Sequence, residues 1–253
     1  MLALVTGGGR GIGAAIAARL AMDGWNVAVA DLTKKLASDG ISKLSGFGHS
    51  AWQVDISDEA SVQTLFEDVE SVNGPITALI CNAGMLIMKD GERPPLVDIE
   101  LDDWEKTHSV NARGTFLCCR EFARRRMAVP VPNGRIVTTS SVAAELGGYR
   151  SSASYISSKS AVLGLTKAVA REVAELGITA NCVAPGVVDA PMLHQTKSAS
   201  HTSDAMERLA AAVPLGRLGL PDDIAGAVAF LVSPQASYIT GATLDVNGGY
   251  RMA

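Results

Sequence analysis

Five glycines fall within seven residues, Gly7-Gly8-Gly9-Arg10-Gly11-Ile12-Gly13, directly after the apolar run Leu2–Thr6 and directly before an alanine-rich stretch. A segment so poor in side chains is a poor strand and a poor helix, because glycine loses the most backbone freedom on ordering. It suits a tight turn between the two, one whose backbone a ligand can approach closely. The chain is therefore expected to open with a strand that hands over to a helix, with the first-turn N–H groups of that helix free to meet an anion such as a pyrophosphate. By itself such a turn is a weak signal. A second apolar run, Asn26–Ala30, then ends at Asp31, about twenty residues past the glycines, where a carboxylate can accept from ribose hydroxyls. Turn and carboxylate together point to a dinucleotide.

The same rhythm continues along the chain. Apolar runs at Ser50–Gln53, Ala78–Cys81, Arg135–Ser140, Thr179–Ala184 and Thr243–Val246 alternate with amphipathic stretches at Gly11–Asp23, Asp58–Asn73, Leu101–Met127, Ser152–Glu175 and Asp222–Val232. That alternation predicts an α/β fold, a doubly wound parallel sheet of about seven strands with helices on both faces. Pro221 ahead of Asp222 and Asp223 marks the start of the last helix, with acids at its positive end. No repeat or linker divides the 253 residues, so one domain over residues 1–253 is expected. Met85–Pro95 and Ala128–Gly134, each with two prolines, read as loops. Met192–Ala212 is polar before it turns helical, and the segment around 190–213 is expected to cover a substrate site.

Composition removes several classes of function. With 47% hydrophobic and 19% charged residues the chain is expected to bury a sizeable core, and a net charge of −4 argues against nucleic-acid or acidic-membrane partners. No apolar run approaches a membrane span, and Met1-Leu2-Ala3-Leu4-Val5-Thr6 lacks the basic start of a signal peptide, so a cytoplasmic protein is expected. Cys81, Cys118, Cys119 and Cys182 have neither zinc-ligand spacing nor a disulfide framework, and the four histidines form no metal pattern; no metal is expected.

Tyr155 and Lys159 stand four residues apart in a helical stretch, which puts phenol and ammonium on one face. A neighbouring cation is expected to lower the phenol pKa toward neutrality, fitting it to exchange a proton with an alcohol or carbonyl. Ser140 and Ser141 offer hydroxyls to the same oxygen, and the residues alone do not choose between them.

The glycine spacing is Thr-Gly-x-x-x-Gly-x-Gly, and it is followed in order by Asp55, Asn82-Ala83-Gly84, Asn111 with Gly114, Ser141, Tyr155 with Lys159, Pro185-Gly186 and Asp245-Val246-Asn247-Gly248-Gly249. On these landmarks the chain, from Leu2 to Tyr250, resembles the short-chain dehydrogenase/reductase family. The resemblance implies a Rossmann-like fold and an NAD(P)-dependent oxidoreductase. Gly7, Gly11 and Gly13, with Arg10 and Ile12 between them, would wrap the pyrophosphate, and Asp31 would hold the adenosine ribose. Asp55 and Ile56 would face the adenine, Asn82 and Gly84 would support the cofactor, and Val188, following Pro185 and Gly186, would meet the nicotinamide carboxamide through its backbone. Tyr155 would be the acid/base and Lys159 would lower its pKa and bind the nicotinamide ribose. Ser141, rather than Ser140, would bond the reacting oxygen, and Asn111 would hold a helix kink and a proton-relaying water. A homotetramer is implied, with Leu101–Met127, Ser152–Glu175 and the C-terminal strand region at its contacts.

Two departures stand out: Cys81 replaces the usual asparagine, and Ala190 replaces a threonine that touches the carboxamide. For the cofactor, Arg10 can meet a 2′-phosphate, whereas Asp31 would repel one and bond a free hydroxyl; NAD is expected over NADP. The substrate, a small alcohol or carbonyl compound, is expected among Ser141–Ser152, the 190–213 cover and the Met85–Pro95 loop, with Glu145, Leu146, Tyr149 and Arg150 at the mouth. Three readings follow. The first is NAD-dependent interconversion of a secondary alcohol and a ketone. The second is NADPH-dependent reduction of 3-oxoacyl thioesters, with Arg124-Arg125-Arg126 as a candidate carrier-protein patch. The third is a cofactor-binding sensor without catalysis, against which the intact Asn111, Ser141, Tyr155 and Lys159 set stands.

Overall fold

Along the first strand, β1 (Leu2–Thr6), Leu2 and Leu4 enter one hydrophobic cluster while Ala3 and Val5 enter another. A strand that buries both faces belongs in the interior of a parallel sheet. The computed structural model, which describes residues 1–148, 151–196 and 203–252, places it there. Strands β2 (Asn26–Asp31), β3 (Ser50–Gln53), β4 (Ala78–Cys81), β5 (Arg135–Thr139), β6 (Thr179–Pro185) and β7 (Thr243–Val246) complete a seven-stranded sheet of order β3-β2-β1-β4-β5-β6-β7, every pair parallel. The strand order reverses between β1 and β4, so a crevice opens at their C-terminal ends, where ligands of such sheets bind.

Helices α1 (Gly11–Met22), α2 (Lys34–Ile41) and α9 (Pro221–Val232) cover one face through Ile16, Leu20, Ala37, Ile224 and Val228. On the other face lie α3 (Glu59–Asn73), α5 (Thr115–Ala128) and α7 (Ala153–Val173), through Phe66, Phe122 and Val173. Shorter helices are α4 (Leu101–His108), α6 (Ala143–Leu146) and α8 (Ser203–Ala211). Side chains start several of them: Asp58 accepts from Ser61 N at 3.0 Å, Ser152 from Tyr155 N at 3.4 Å, and Asp223 from Leu220 N at 2.7 Å behind Pro221.

Three expectations change. Helix α2 was not foreseen: it is mostly polar, buries only Ala37 and Gly40, and is started by Thr33, whose hydroxyl accepts from Leu36 N. The stretch expected as one helix over Leu101–Met127 is α4 and α5 joined by a π-helical turn, Ser109–Gly114. The triple arginine is not an open basic patch, although Arg124 itself is exposed. Arg126 is 1% exposed and bonded to the Ile76 carbonyl and Glu70, Arg125 pairs with Glu121 and Glu70, and Arg124 pairs with Glu121.

Candidate active site

The glycine turn occupies the crevice between β1 and β4. Gly7 and Gly11 have φ of 64° and 57°, in the region that favours glycine. At Gly13 even a methyl group is excluded, because its Cβ would lie 2.1 Å from the Gly7 carbonyl oxygen. Asn82 fixes the turn from β4, its Nδ2 donating to the carbonyls of Gly7 at 3.1 Å and Thr6 at 3.3 Å. Arg10, exposed, precedes α1 without capping it, and no acid sits in the first turn. The opening N–H groups of α1 are thus left for a ligand. The Ile12 side chain is partly buried and packs against the core.

Asp31 ends β2 beside this turn. One carboxylate oxygen accepts from Gly9 N at 2.9 Å and the other from Leu32 N at 2.8 Å. The Asp55 carboxylate folds back onto Ser57 N and Oγ, and the Ile56 side chain is buried against Gly114. Asp55 stays exposed at this corner, whereas Ile56 is buried.

Helix α7 carries Tyr155 and Lys159, both buried. The Lys159 ammonium donates to the Thr139 carbonyl at 2.8 Å and lies next to Gly84, where a Cβ would meet Nζ at 3.2 Å. Asn111, fully buried in the π-helical turn, accepts from Met85 N at 2.8 Å and donates to Met85 O and Ser158 Oγ, both at 3.0 Å. The wider turn therefore aims this side chain across to α7 and to Met85 in the loop after β4. Ser140 is committed elsewhere, its hydroxyl donating to the Lys159 carbonyl at 2.8 Å. Ser141 instead acts on the Tyr155 phenol, whose pKa it draws down.

Burial pushes the Tyr155 phenol above its ordinary value of 10.0, and Ser141 pulls the other way without prevailing. This corrects the expected fall toward neutrality: the Lys159 ammonium is turned to a backbone carbonyl and is itself desolvated. Burial lowers Lys159 from 10.5 to about 8, with the Cys182 and Cys81 thiols opposing the fall. Cys81 is a core residue, its sulfur 4.0 Å from that of Cys119.

Across the crevice, β6 ends at Pro185, whose carbonyl accepts from Val142 N; Gly186 N donates to Val246 O at 3.0 Å. Val188 bridges to Gly219 through the bonds of its neighbours, Asp189 N to Gly219 O and Gly219 N to Val187 O. Its own N–H and C=O take no part in that bridge. Tyr149 and Arg150, expected at the mouth, lie outside the described residues, as does 197–202 of the expected cover. Glu145 is turned from the mouth into an ion pair with Arg251.

A family profile described as Enoyl-(Acyl carrier protein) reductase matches residues 7–251. A (3R)-3-hydroxyacyl-CoA dehydrogenase of Canis lupus familiaris is 34% identical over 99% of this chain and 96% of its own length. A 3-oxoacyl-[acyl-carrier-protein] reductase of Staphylococcus aureus is 36% identical over 99% and 98%. The chain belongs to the short-chain dehydrogenase/reductase family. Among solved structures, a blue fluorescent protein from a metagenomic library, in complex with NADPH, superposes with a TM-score of 0.85 at 37% identity, covering 99% of this chain and 98% of that one. The chain is thus an oxidoreductase of hydroxyl and keto groups with a nicotinamide cofactor.

The short-chain dehydrogenase/reductase residues fit that cofactor physically. A cradle without side chains at Gly7 and Gly13, uncapped amides at the start of α1 and a fixed carboxylate at Asp31 are the partners a dinucleotide needs. Sequence reasoning missed Thr139, Ser158 and Met85, which hold Lys159 and Asn111. Two of the three act through backbone groups that any residue carries.

Proposed function

We propose that this chain uses NAD(H) to interconvert a secondary hydroxyl and a keto group, on 3-hydroxyacyl or 3-oxoacyl thioesters in the first instance, with Tyr155 as the acid/base. When bound, the nicotinamide supplies or accepts the hydride. Tyr155 gives its phenolic proton to the carbonyl oxygen in reduction and takes it back in oxidation. Ser141 donates a second hydrogen bond to that oxygen as charge develops on it. Lys159 holds the ribose edge of the cofactor, and Asn111 maintains the turn through which protons are resupplied to Lys159. Gly7, Gly11, Ile12 and Gly13 bind the pyrophosphate, Asp31 the adenosine ribose, and the Val188 backbone the carboxamide. The observation that carries the catalytic part is a buried Tyr155 one helical turn from a buried Lys159 whose ammonium is held by the Thr139 carbonyl.

The cofactor preference rests on Asp31. Both its oxygens are tied to backbone N–H groups, so it has no freedom to swing away from a 2′-phosphate. Lys34, three residues on, is turned away to the Ala51 carbonyl and the Trp52 ring. NADH is therefore expected to bind at least about tenfold more tightly than NADPH, the factor lost when one charge-assisted contact becomes a repulsion. Fluorescence titration of both cofactors at one salt concentration decides it, and Asp31→Ser is expected to erode the difference. The opposite preference has its own support in the exposed Arg10 and in the NADPH held by the blue fluorescent relative. A tighter grip on NADPH would move the reading to that side.

The thioester class is supported by the two relatives named above, which act on 3-hydroxyacyl and 3-oxoacyl groups. The internal pairing of Arg124, Arg125 and Arg126 weighs against a carrier-protein dock there, which favours a free thioester. A homotetramer and a cytoplasmic setting remain part of the proposal, as does a single functional unit over the whole chain.

Oxidation needs the phenolate of Tyr155, and burial holds that pKa above its ordinary value. The rate of alcohol oxidation is accordingly expected to climb across roughly pH 6 to 9, while reduction, which needs the phenol, gains nothing from the rise. A stable enzyme whose oxidation rate fell steadily over that range would remove Tyr155 from the role of base.

A further inference from the structure

We propose that Arg251 is a positioning residue for Ser141, acting through Glu145; the proposal rests on the reading of Ser141 as a partner of the reacting oxygen. Ser141 is followed at once by α6, a single turn too short to hold itself. Ala143 N donates to Ser141 Oγ at 3.2 Å and Ala144 N to Ser141 O at 3.0 Å, so the serine and the turn move as one piece. Ser160 fastens this piece to α7, its hydroxyl donating to Ala144 O at 2.9 Å. Val142 N adds a bond to Pro185 O at 2.9 Å, and beyond these Glu145 pairs with Nη1 of Arg251.

The same Nη1 also lies 2.7 Å from Asp245 Oδ2 on β7, so one guanidinium ties the turn behind Ser141 to the edge of the sheet. These side chains are 19% to 24% exposed, and such a shielded network is worth more than an open surface pair. The segment after β7 is shaped to deliver the arginine. Gly248 and Gly249 take φ of 64° and 84°, and buried Asn247 clasps both ends of the reversal, accepting from Gly249 N at 2.9 Å and donating to Arg251 O at 3.2 Å. Without the guanidinium, Glu145 and Asp245 would face each other as like charges, and α6 would be pushed from the sheet with Ser141 attached.

The test compares Arg251→Gln and Arg251→Lys with the parent protein by hydrogen–deuterium exchange and by NADH-dependent reduction of acetoacetyl-coenzyme A. In Arg251→Gln, amides of residues 142–147 are expected to exchange at least about tenfold faster while those of β1 stay unchanged. The kcat should fall about tenfold, with KM and the NADH dissociation constant within about twofold. Arg251→Lys, which keeps a cation between the carboxylates, should restore most of both. Unchanged protection of 142–147, or faster exchange with unchanged kcat, overturns the proposal. Should Arg251→Gln fail to fold, Glu145→Gln breaks the same contact from the other side and is read in its place. If the parent protein does not reduce acetoacetyl-coenzyme A, the thioester reading fails, and the exchange data still decide whether Arg251 holds α6.

Discussion

Tyr155→Phe is expected to lower turnover by about 10²- to 10⁴-fold, the range that a positioned proton donor contributes, and to leave NADH binding within about twofold. Tyr155 is 8% exposed, and phenylalanine keeps that packing. Only the hydroxyl is lost, and with it the group on which Ser141 acts. Ser141 still offers one hydrogen bond to the reacting oxygen, but its proton is not given up readily near neutral pH. The two measurements separate chemistry from assembly: turnover by absorbance of the reduced cofactor, and binding by its fluorescence. Retained turnover would sink the assigned mechanism and return the buried phenol to a structural role. Lost binding would instead mean that the hydroxyl supports the crevice itself.

The ease of reading this chain differs sharply from one feature to another. β1, the glycine turn and Asp31 are legible because each depends on local chemistry: a doubly buried strand is continuously apolar, a turn without room for Cβ atoms must be glycine, and a carboxylate at a strand end keeps its spacing. The π-helical turn at Asn111 is not legible, since one extra residue per turn barely disturbs an apolar periodicity, although it decides where Asn111 points. Helix α2 escapes notice because its two buried residues are alanine and glycine. The triple arginine reads as basic surface until Glu70 arrives from α3, a tertiary event that spacing does not encode.

The Tyr155–Lys159 pair divides the same way. Its adjacency follows from helix geometry, whereas the direction of its pKa values follows from burial, which depends on everything packed around it. Desolvation outweighs the mutual attraction that spacing alone suggests. A site built so is poised by its surroundings more than by its pair, and its stability reflects that.

Lys159→Met provides the measure of that strain, with turnover expected to fall about 10²- to 10⁴-fold while the folded state gains stability near pH 7. Lys159 is 4% exposed, and burial lowers its pKa from 10.5 to about 8. Below about pH 8 the lysine is protonated in both folded and unfolded chains, and the folded state bears the full penalty of a buried charge, on the order of 3 kcal/mol. Between about 8 and 10.5 the unfolded chain binds more protons than the folded one, so stability contributed by this site rises with pH through that window. Methionine fills a similar volume without the charge. It forfeits the hydrogen bond to the Thr139 carbonyl, which offsets about 1 kcal/mol, for a net gain of about 2 kcal/mol at neutral pH. Thermal unfolding across pH checks both sign and window: the variant should unfold several degrees higher near pH 7, and its advantage should shrink as pH rises above about 8. A variant less stable than the parent at pH 7 would show that the ammonium is a net anchor of the fold, with its hydrogen bond outweighing its desolvation.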